Sequence, residues 1–319
     1  MTNGQNVTKQ VFTVRLPGST SNLGAGFDCF GLALQQYLTI RATVVNKGAQ
    51  KCRVRNTGTK EAAELPRHEQ NLIYRAMAYA ARSEGVSLPP LRLAVKTEIP
   101  LSRGLGSSAA AIVGGVKLCG LITGLELSNE KVLEYATRYE GHPDNVAAAL
   151  FGGFVMTCLT HDRSVIALKK SWPADLKVLI VSPSFRVATK LAREALPRNV
   201  TRDDAVHNLQ RSALFVGALS AGQYDLLWEA MRDRLHQERR QTLVPGLGDV
   251  LAIPKMPGLL GLALSGAGPS VLAIVTGSFD EIGETIAACF RRHKVNTTSH
   301  RLEIDNEGCR TWPAESSKQ

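Results

Sequence analysis

The chain has 319 residues, 44% hydrophobic and 21% charged, which is typical of a globular protein with room for one large domain or two. Its formal charge of +10 suits nucleic acid or an anionic small substrate such as ATP, but the basic residues are spread along the chain and only 6% of residues are aromatic. No apolar stretch approaches the ~20 residues that span a bilayer, no secretory leader is recognisable and the six cysteines form no C-x-x-C pair. We therefore expect a cytoplasmic protein with reduced thiols, and neither nucleic acid nor a membrane as its partner.

The hydrophobic pattern of the first half predicts alternating strands and helices. Strands are expected at residues 11–16, 37–45, 91–99 and 154–159, and helices at 70–83, 107–122, 128–140 and 142–151. Ser128 is a suitable helix cap, Gly124 and Gly141 are helix stops, and Pro143 can open a first turn. Before residue 11 the composition indicates disorder, and residues 17–26 are expected to form a turn-rich loop.

In the second half the periodic pattern is lost over residues 164–175, which we take as a domain boundary. The predicted domains are residues 1–168 and 169–319. Beyond the boundary, strands are expected at 177–181, 259–264, 270–275 and 296–304, and helices at 190–196, 203–220, 224–234 and 279–292. Strands followed by helices, with an antiparallel pair, predict an α+β fold, and the tail after Cys309 is expected to be loose.

The segment that joins the strand at 91–99 to the helix at 107–122 carries the strongest functional signal. It consists of Pro100, Leu101, Ser102, Arg103, Gly104, Leu105, Gly106, Ser107, Ser108, Ala109 and Ala110. Its glycines and serines lie where a helix presents free N–H groups and the positive end of its dipole, so the segment predicts a phosphate-binding loop. A P-loop is excluded because no lysine follows Gly106. A dinucleotide-binding fingerprint is excluded because Glu126, at the required spacing, lies at a predicted helix cap and not at a strand end.

Together with two further segments, this loop resembles the GHMP kinase family. P-G-S-T-S-N-L-G-A-G-F-D occupies residues 17–28 and G-L-A-L-S-G-A-G-P-S occupies residues 261–270, in the order typical of that family. The resemblance covers residues 11–304. It implies a two-domain α+β GHMP kinase fold, with an N-terminal unit like domain 2 of ribosomal protein S5 and a C-terminal ferredoxin-like α/β sandwich. It also implies ATP as co-substrate, Mg²⁺, and phosphoryl transfer to a small alcohol.

Within that family, the details resemble the members that phosphorylate L-homoserine to O-phospho-L-homoserine in threonine biosynthesis. This resemblance depends on three patterns: N-L-G-x-G-F-D, H-x-D-N-V-A before F-G-G, and T-x-x-x-R-x-x-L-P at residues 189–197. Three alternatives stay open: another GHMP small-molecule kinase of the mevalonate or shikimate type, a noncatalytic nucleotide-binding protein on the same fold, and a nucleic-acid module. A homodimer is a further option.

The resemblance also implies roles for individual residues. Asn145 should orient the substrate hydroxyl and Thr189 could relay a proton. Asn145 stands where mevalonate kinase places an aspartate, which favours direct in-line transfer without a strong base. The remaining roles are a substrate-amine site at Asn22 and Asp28, a carboxylate site at Arg193 and Arg240, a Mg²⁺ site at Glu140 with Ser108 or Ser107, and an adenine site near Asn71 and Lys96. His142, beside Pro143 at a helix start, is expected to be a cap or a packing residue.

Overall fold

Two β-sheets form the frame of the molecule, and the computed structural model describes them over residues 9–45 and 50–317. The strands are β1 (Lys9–Ser21), β2 (Phe30–Val44), β3 (Cys52–Gly58), β4 (Leu91–Thr97), β5 (Phe154–Leu159), β6 (Val165–Lys170), β7 (Lys177–Pro183), β8 (Leu259–Leu264), β9 (Val271–Val275), β10 (Thr297–Leu302) and β11 (Arg310–Ser317). The larger sheet has the order β11-β1-β2-β4-β3, with β5 joined to β2 and β6. The smaller, antiparallel sheet has the order β10-β7-β9-β8.

Ten α-helices pack on these sheets within the described residues. They are α1 (Leu72–Ser83), α2 (Ser107–Thr123), α3 (Asn129–Glu140), α4 (Asp144–Phe151), α5 (Thr189–Glu194), α6 (Arg202–Ala221), α7 (Leu227–Ala230), α8 (Gln237–Arg240), α9 (Leu247–Leu251) and α10 (Phe279–Arg292). Short 3-10 turns cover Lys60–Glu64 and Tyr224–Leu226. None of these helices has the length and apolar character needed to cross a membrane.

Helices α2 and α4 pack on one face of the larger sheet, and α1 packs against α2. Strand β4 shows why: Leu91, Leu93 and Val95 point into the core while the residues between them are exposed, the alternation that a sheet buried on one face requires. Close contact between α2 and α1 depends on Gly115, because a Cβ there would lie 2.4 Å from the carbonyl oxygen of Ile73. A second core fills the space between the smaller sheet, α9 and α10.

Several predicted elements are confirmed at their ends. Ser128 accepts a hydrogen bond from the Lys131 N–H at the start of α3, and Gly124 and Gly141 adopt the left-handed conformation at the ends of α2 and α3. The expected disorder before residue 11 falls largely outside the described residues, because the structure is described from residue 9 onward.

The structure corrects four expectations about local structure. Residues 17–21 continue β1. Proline has no backbone N–H to donate, and the register shifts at a bulge directly after Pro17, beyond which residues 18–21 pair with β2. The segment 164–175 contains β6, a largely exposed strand whose sequence V-I-A-L-K-K does not alternate apolar and polar residues. The tail is strand β11, paired with β1. The helix expected at 224–234 stops at Ala230, because the Asp233 carboxylate accepts the N–H groups of residues 235, 236 and 237 and so starts a new turn towards α8.

The division of the chain into domains stays a prediction. The expected boundary between residues 168 and 169 falls within β6, which belongs to the larger sheet, and β11 returns to that sheet from the far end of the chain.

Candidate active site

The predicted phosphate loop connects β4 to α2, as expected, and the other two motif segments pack against it. Gly104 and Gly106 both have positive φ, +74° and +71°. The Gly104 carbonyl accepts a hydrogen bond from Ser265 Oγ at 2.6 Å, and the Leu105 carbonyl accepts one from the Ser19 N–H at 3.1 Å. A Cβ on Gly104 would lie 2.0 Å from the Ser265 carbonyl oxygen. Only glycine therefore allows the three motifs to meet here.

One cavity, with a volume of about 260 Å³, brings together most of the residues that the sequence singled out. The predicted residues lining it are Asn22, Asp28, Asn71, Pro100, Leu101, Ser102, Arg103, Gly104, Leu105, Gly106, Ser107, Ser108, Glu140, Asn145, Thr189, Arg193 and Arg240. Ala109 and Ala110 are fully buried in the first turn of α2, behind the loop.

Lys96 is not brought to this cavity, which corrects its predicted place near the adenine. Its neighbours Val95 and Thr97 line the cavity, so Lys96 lies on the opposite face of β4. Its side chain is 68% exposed and lies 3.9 Å from Glu98. Asn71, by contrast, lines the cavity at the start of α1, where its side chain accepts from the Ile73 N–H at 3.1 Å and donates to the Pro66 carbonyl at 2.9 Å.

The side-chain amide of Asn145 is fixed on both sides. Ser19 Oγ donates to Asn145 Oδ1 at 2.8 Å, and Asn145 Nδ2 donates to Ser21 Oγ at 2.8 Å and towards Asp144 Oδ1 at 3.3 Å. Serine hydroxyls can donate or accept, so they alone would tolerate either orientation of the amide. An ionised carboxylate only accepts, and Asp144 therefore decides which way the amide of Asn145 points.

His142 and Asp144 form a buried pair beneath Asn145. Nδ1 of His142 donates to Asp144 Oδ1 at 2.6 Å, and the same oxygen accepts the backbone N–H of Asn145 at 2.6 Å. Burial opposes the charged form of each group. The hydrogen bond and the attraction between them outweigh it, so the pKa of His142 is raised and the pKa of Asp144 is lowered. In the folded protein both shifts therefore favour the charged forms, imidazolium at His142 and carboxylate at Asp144. The expected role of His142 as a cap or packing residue misses this pairing.

Asp28 and Arg193 form an ion pair on the wall of the cavity. Two hydrogen bonds, 3.0 and 2.7 Å long, join the guanidinium to the carboxylate. The two side chains are 34% and 37% exposed. The loop that carries Asp28 is held by Asn22, whose Oδ1 accepts from the Asp28 N–H at 3.0 Å and whose Nδ2 donates to the Gly266 carbonyl at 3.0 Å. Asn22 therefore joins the first motif segment to the last.

Arg240 is almost fully buried, with only 2% exposure. Its guanidinium donates to the carbonyls of Gly266 at 2.9 Å and Ala192 at 3.1 Å, and to Nδ1 of His236 at 3.3 Å. Burial, followed by the like charge of Arg193, lowers its pKa to about 10. Burial also lowers the pKa of His236, which is consistent with a neutral ring whose Nε2 donates to the Gly24 carbonyl.

Ser108 and Glu140 meet at the mouth of the phosphate loop. Ser108 Oγ donates to Glu140 Oε2 at 2.8 Å, while His142 Nε2 lies 3.9 Å from the other carboxylate oxygen. Two hard oxygen groups suit Mg²⁺, which binds few protein ligands and fills the rest of its shell with water and phosphate oxygens. Among the described residues, no group of three or more His, Cys, Asp and Glu side chains is arranged to hold a metal alone. The pair therefore fits an ion shared with a nucleotide.

Sequence reasoning missed three polar residues of this site: Ser19, Ser21 and the carboxylate of Asp144. A signal for the serines was present. In the S-T-S run, residues 19 and 21 lie two apart on a strand, which places their side chains on one face. Nothing in the sequence indicated that Asn145, 126 residues away from Ser19, would lie between them.

The fold and the site together define the class of this protein, a kinase of the GHMP type. Residues 71–153 match the family model for the N-terminal domain of GHMP kinases. The GHMP kinase fold predicted from the sequence is therefore confirmed. Mevalonate kinase shares the fold, with a TM-score of 0.65 at 16% identity over 92% of this chain and 99% of that structure.

The chain belongs to the homoserine kinase family. Homoserine kinase from Deinococcus radiodurans is 46% identical over 90% of this chain and 90% of its own length. The Aquifex aeolicus homoserine kinase is 40% identical over 94% of this chain and 99% of its own. A crystal structure of homoserine kinase from Cytophaga hutchinsonii has a TM-score of 0.81 at 25% identity, covering 98% of this chain and 99% of that one.

Proposed function

We propose that this protein transfers the γ-phosphoryl group of ATP to the side-chain hydroxyl of L-homoserine, giving O-phospho-L-homoserine and ADP, as a step of threonine biosynthesis. The observation that carries the proposal is the Asp28–Arg193 ion pair, which faces the same cavity as the phosphate loop. A homodimer and a cytoplasmic location stay predictions from the sequence.

The ion pair favours an amino acid over other small alcohols. An α-amino acid presents an ammonium and a carboxylate on one carbon, so it can give Asp28 and Arg193 each a new partner of opposite charge. A hydroxy acid such as mevalonate has no amine and would leave Asp28 without its cation, and an unpaired, partly desolvated carboxylate is unfavourable. Galactose and shikimate fail the same test. The guanidinium of Arg240 places a second positive charge beside Arg193, where the substrate carboxylate would bind.

On the nucleotide side, we expect the base to lie against the apolar wall formed by Leu38, Leu72 and Val95, with Asn71 beside it. The phosphates then reach the N–H groups at the start of α2, where the helix dipole favours negative charge. Ser108 and Glu140 would hold Mg²⁺, which supplies charge neutralisation between the phosphate oxygens when it is bound. The 2.8 Å contact between these two side chains favours Ser108 over Ser107 as the ligand.

Asn145 orients the hydroxyl as an acceptor. Both of its Nδ2 protons point at Ser21 and Asp144, and one lone pair of Oδ1 is taken by Ser19. The remaining lone pair can accept the O–H of the substrate, which leaves a lone pair of the hydroxyl oxygen free to attack phosphorus. Because the transition state of phosphoryl transfer is loose, little base strength is needed, and positioning is the main contribution. Thr189, which lines the cavity, would relay the hydroxyl proton onward to a phosphate oxygen as the new O–P bond forms.

A coupled assay of ADP release tests the proposal with homoserine, mevalonate, shikimate and galactose as acceptors. We expect fast turnover with homoserine alone. Asn145→Ala should lower kcat/KM for homoserine by at least about tenfold, and a value near wild type would contradict the assigned role. ADP release that is independent of any acceptor would contradict the proposed function itself.

A further inference from the structure

The face of the larger sheet that points away from α1 and α2 is strongly basic. Strands β1 to β4 contain no Asp or Glu. Their cross-strand register places one set of cations on this outer face: Arg15, Arg41, Arg53, Arg55, Arg92 and Lys96. All are exposed except Arg15, which is half-buried. We refer to these six residues as the basic face. Residues that are spread along the sequence are thus gathered in space.

Folding does not account for this arrangement. Arg53 lies directly opposite Arg92 in the register of β3 and β4, and like charges facing each other across strands are destabilising. Among the side chains that the structure describes, the six cations have one ion pair, between Lys96 and Glu98 at 3.9 Å. A second copy of the chain is a poor occupant, since a two-fold contact would bring the same cations together. An anionic partner removes the repulsion.

An exposed aromatic side chain borders the basic face. Trp312 of β11 is 43% exposed and pairs with Thr13 of β1. It lines a shallow groove of about 530 Å³ together with Arg15, Arg41 and Lys96. Proteins that bind single-stranded nucleic acids combine a row of cations with exposed aromatic side chains. The phosphates pair with the cations, and a base stacks on the aromatic ring. An acidic polypeptide would use the cations but has no need of the exposed indole.

We propose that the basic face binds single-stranded nucleic acid, with phosphates on Arg41, Arg92 and Lys96 and a base stacked on Trp312. This reverses the expectation drawn from the even spread of charge along the sequence. The binding surface is separate from the kinase cavity, because Lys96 lies on the opposite face of β4 from Val95 and Thr97.

Fluorescence anisotropy of a labelled oligo-uridine, about 16 nucleotides long, tests the proposal over about 50 to 300 mM salt. Affinity should fall steeply with salt. The double variant Arg41→Glu/Arg92→Glu should bind at least about tenfold more weakly, and its salt dependence should flatten by about 0.7 in log–log slope for each lost phosphate contact. Trp312→Ala should weaken binding by at least about fivefold and leave the slope unchanged, because stacking releases no counterions.

The control is Arg198→Glu/Arg202→Glu, which makes the same charge change at exposed positions of the second half of the chain. It should bind like wild type. Homoserine phosphorylation should be unaffected in both double variants. The melting temperature of Arg92→Glu should not be lower than that of wild type, because the substitution places a carboxylate opposite Arg53. The proposal is overturned by any of four results: no binding at about 50 mM salt, equal loss in both double variants, tighter binding of oligo-glutamate than of oligo-uridine, or a dimer that Arg41→Glu/Arg92→Glu dissociates.

Discussion

Replacing Asp144 with asparagine tests the support beneath Asn145. Asp144 is 1% exposed, and its Oδ1 accepts two short hydrogen bonds, both 2.6 Å, from His142 Nδ1 and from the Asn145 N–H. Bonds to a charged acceptor contribute about 1.5–3 kcal/mol each, against about 0.5–1.5 kcal/mol for neutral ones. Asp144→Asn should therefore lower the free energy of unfolding by about 2–3 kcal/mol. The exposed Asp175→Asn is the matched control and should stay within about 0.5 kcal/mol of wild type.

The loss should depend on pH in a defined direction. The raised pKa of His142 in the folded state means that its contribution is present below the unfolded value of about 6.5 and is lost as pH rises through the folded value. The lowered pKa of Asp144 means that its own contribution persists above about 3.9. The stability difference between wild type and Asp144→Asn should thus be largest near pH 6 and should shrink towards pH 9. Urea unfolding at several pH values measures it.

The same substitution should also affect catalysis. An asparagine at 144 can donate as well as accept, so the amide of Asn145 loses the group that decides its orientation. We expect kcat to fall at least about tenfold, while KM for ATP changes less than about twofold. A stability loss below about 1 kcal/mol, or one that is the same at pH 6 and pH 9, would refute the assigned pairing.

Three further predictions test other parts of the site. Gly104 and Gly124 share a φ of +74°, but a Cβ at 104 would lie 2.0 Å from the Ser265 carbonyl oxygen, whereas one at 124 would meet nothing within 4 Å. In urea unfolding, Gly104→Ala should therefore lower the free energy of unfolding by at least about 2 kcal/mol more than Gly124→Ala does. Equal losses would exclude the close contact. Arg193→Ala should raise KM for homoserine more than it lowers kcat, and an unchanged KM would contradict its place in the substrate site. In calorimetry of ADP binding, Glu140→Gln should raise the Mg²⁺ concentration for half-maximal enhancement by about tenfold and leave metal-free binding unchanged; an unshifted Mg²⁺ titration would exclude Glu140 as a ligand.

Local signals predicted the elements that place the phosphate loop. The apolar alternation of β4 and the glycine–serine run before α2 are both readable within a few residues, and the structure has them at the expected positions. The same alternation contained the evidence against Lys96. In L-R-L-A-V-K-T the bulky apolar residues Leu91, Leu93 and Val95 occupy every second position, so Lys96 must point away from the face that carries Val95 and Thr97. The role assigned to Lys96 from the family resemblance was therefore wrong, whereas the alternation of β4 indicated its orientation correctly.

What the sequence could not show depends on long-range pairing. Ser19 and Asn145 meet because β1 and the start of α4 lie side by side, and no local pattern encodes that contact. The tail looked loose because a short polar edge strand has little periodicity of its own, and β11 is defined by its partner β1. Charge behaves in the same way: Arg53 and Arg92 are distant in sequence and become neighbours only when β3 pairs with β4.

The charges of the cavity explain why a neutral zwitterion is the natural second substrate. Asp28 is already matched by Arg193, and Asp144 by His142, so neither carboxylate lacks a cation before a substrate arrives. An amino acid adds one charge of each sign and exchanges the partners of the Asp28–Arg193 pair without changing the total. Under the proposed function a nucleotide brings several negative charges, which would be balanced by the N–H groups at the start of α2, by Mg²⁺ at the proposed Glu140 site and by the positive field of a basic protein. Salt should accordingly weaken ATP binding much more than homoserine binding, because only the nucleotide carries net charge into the site.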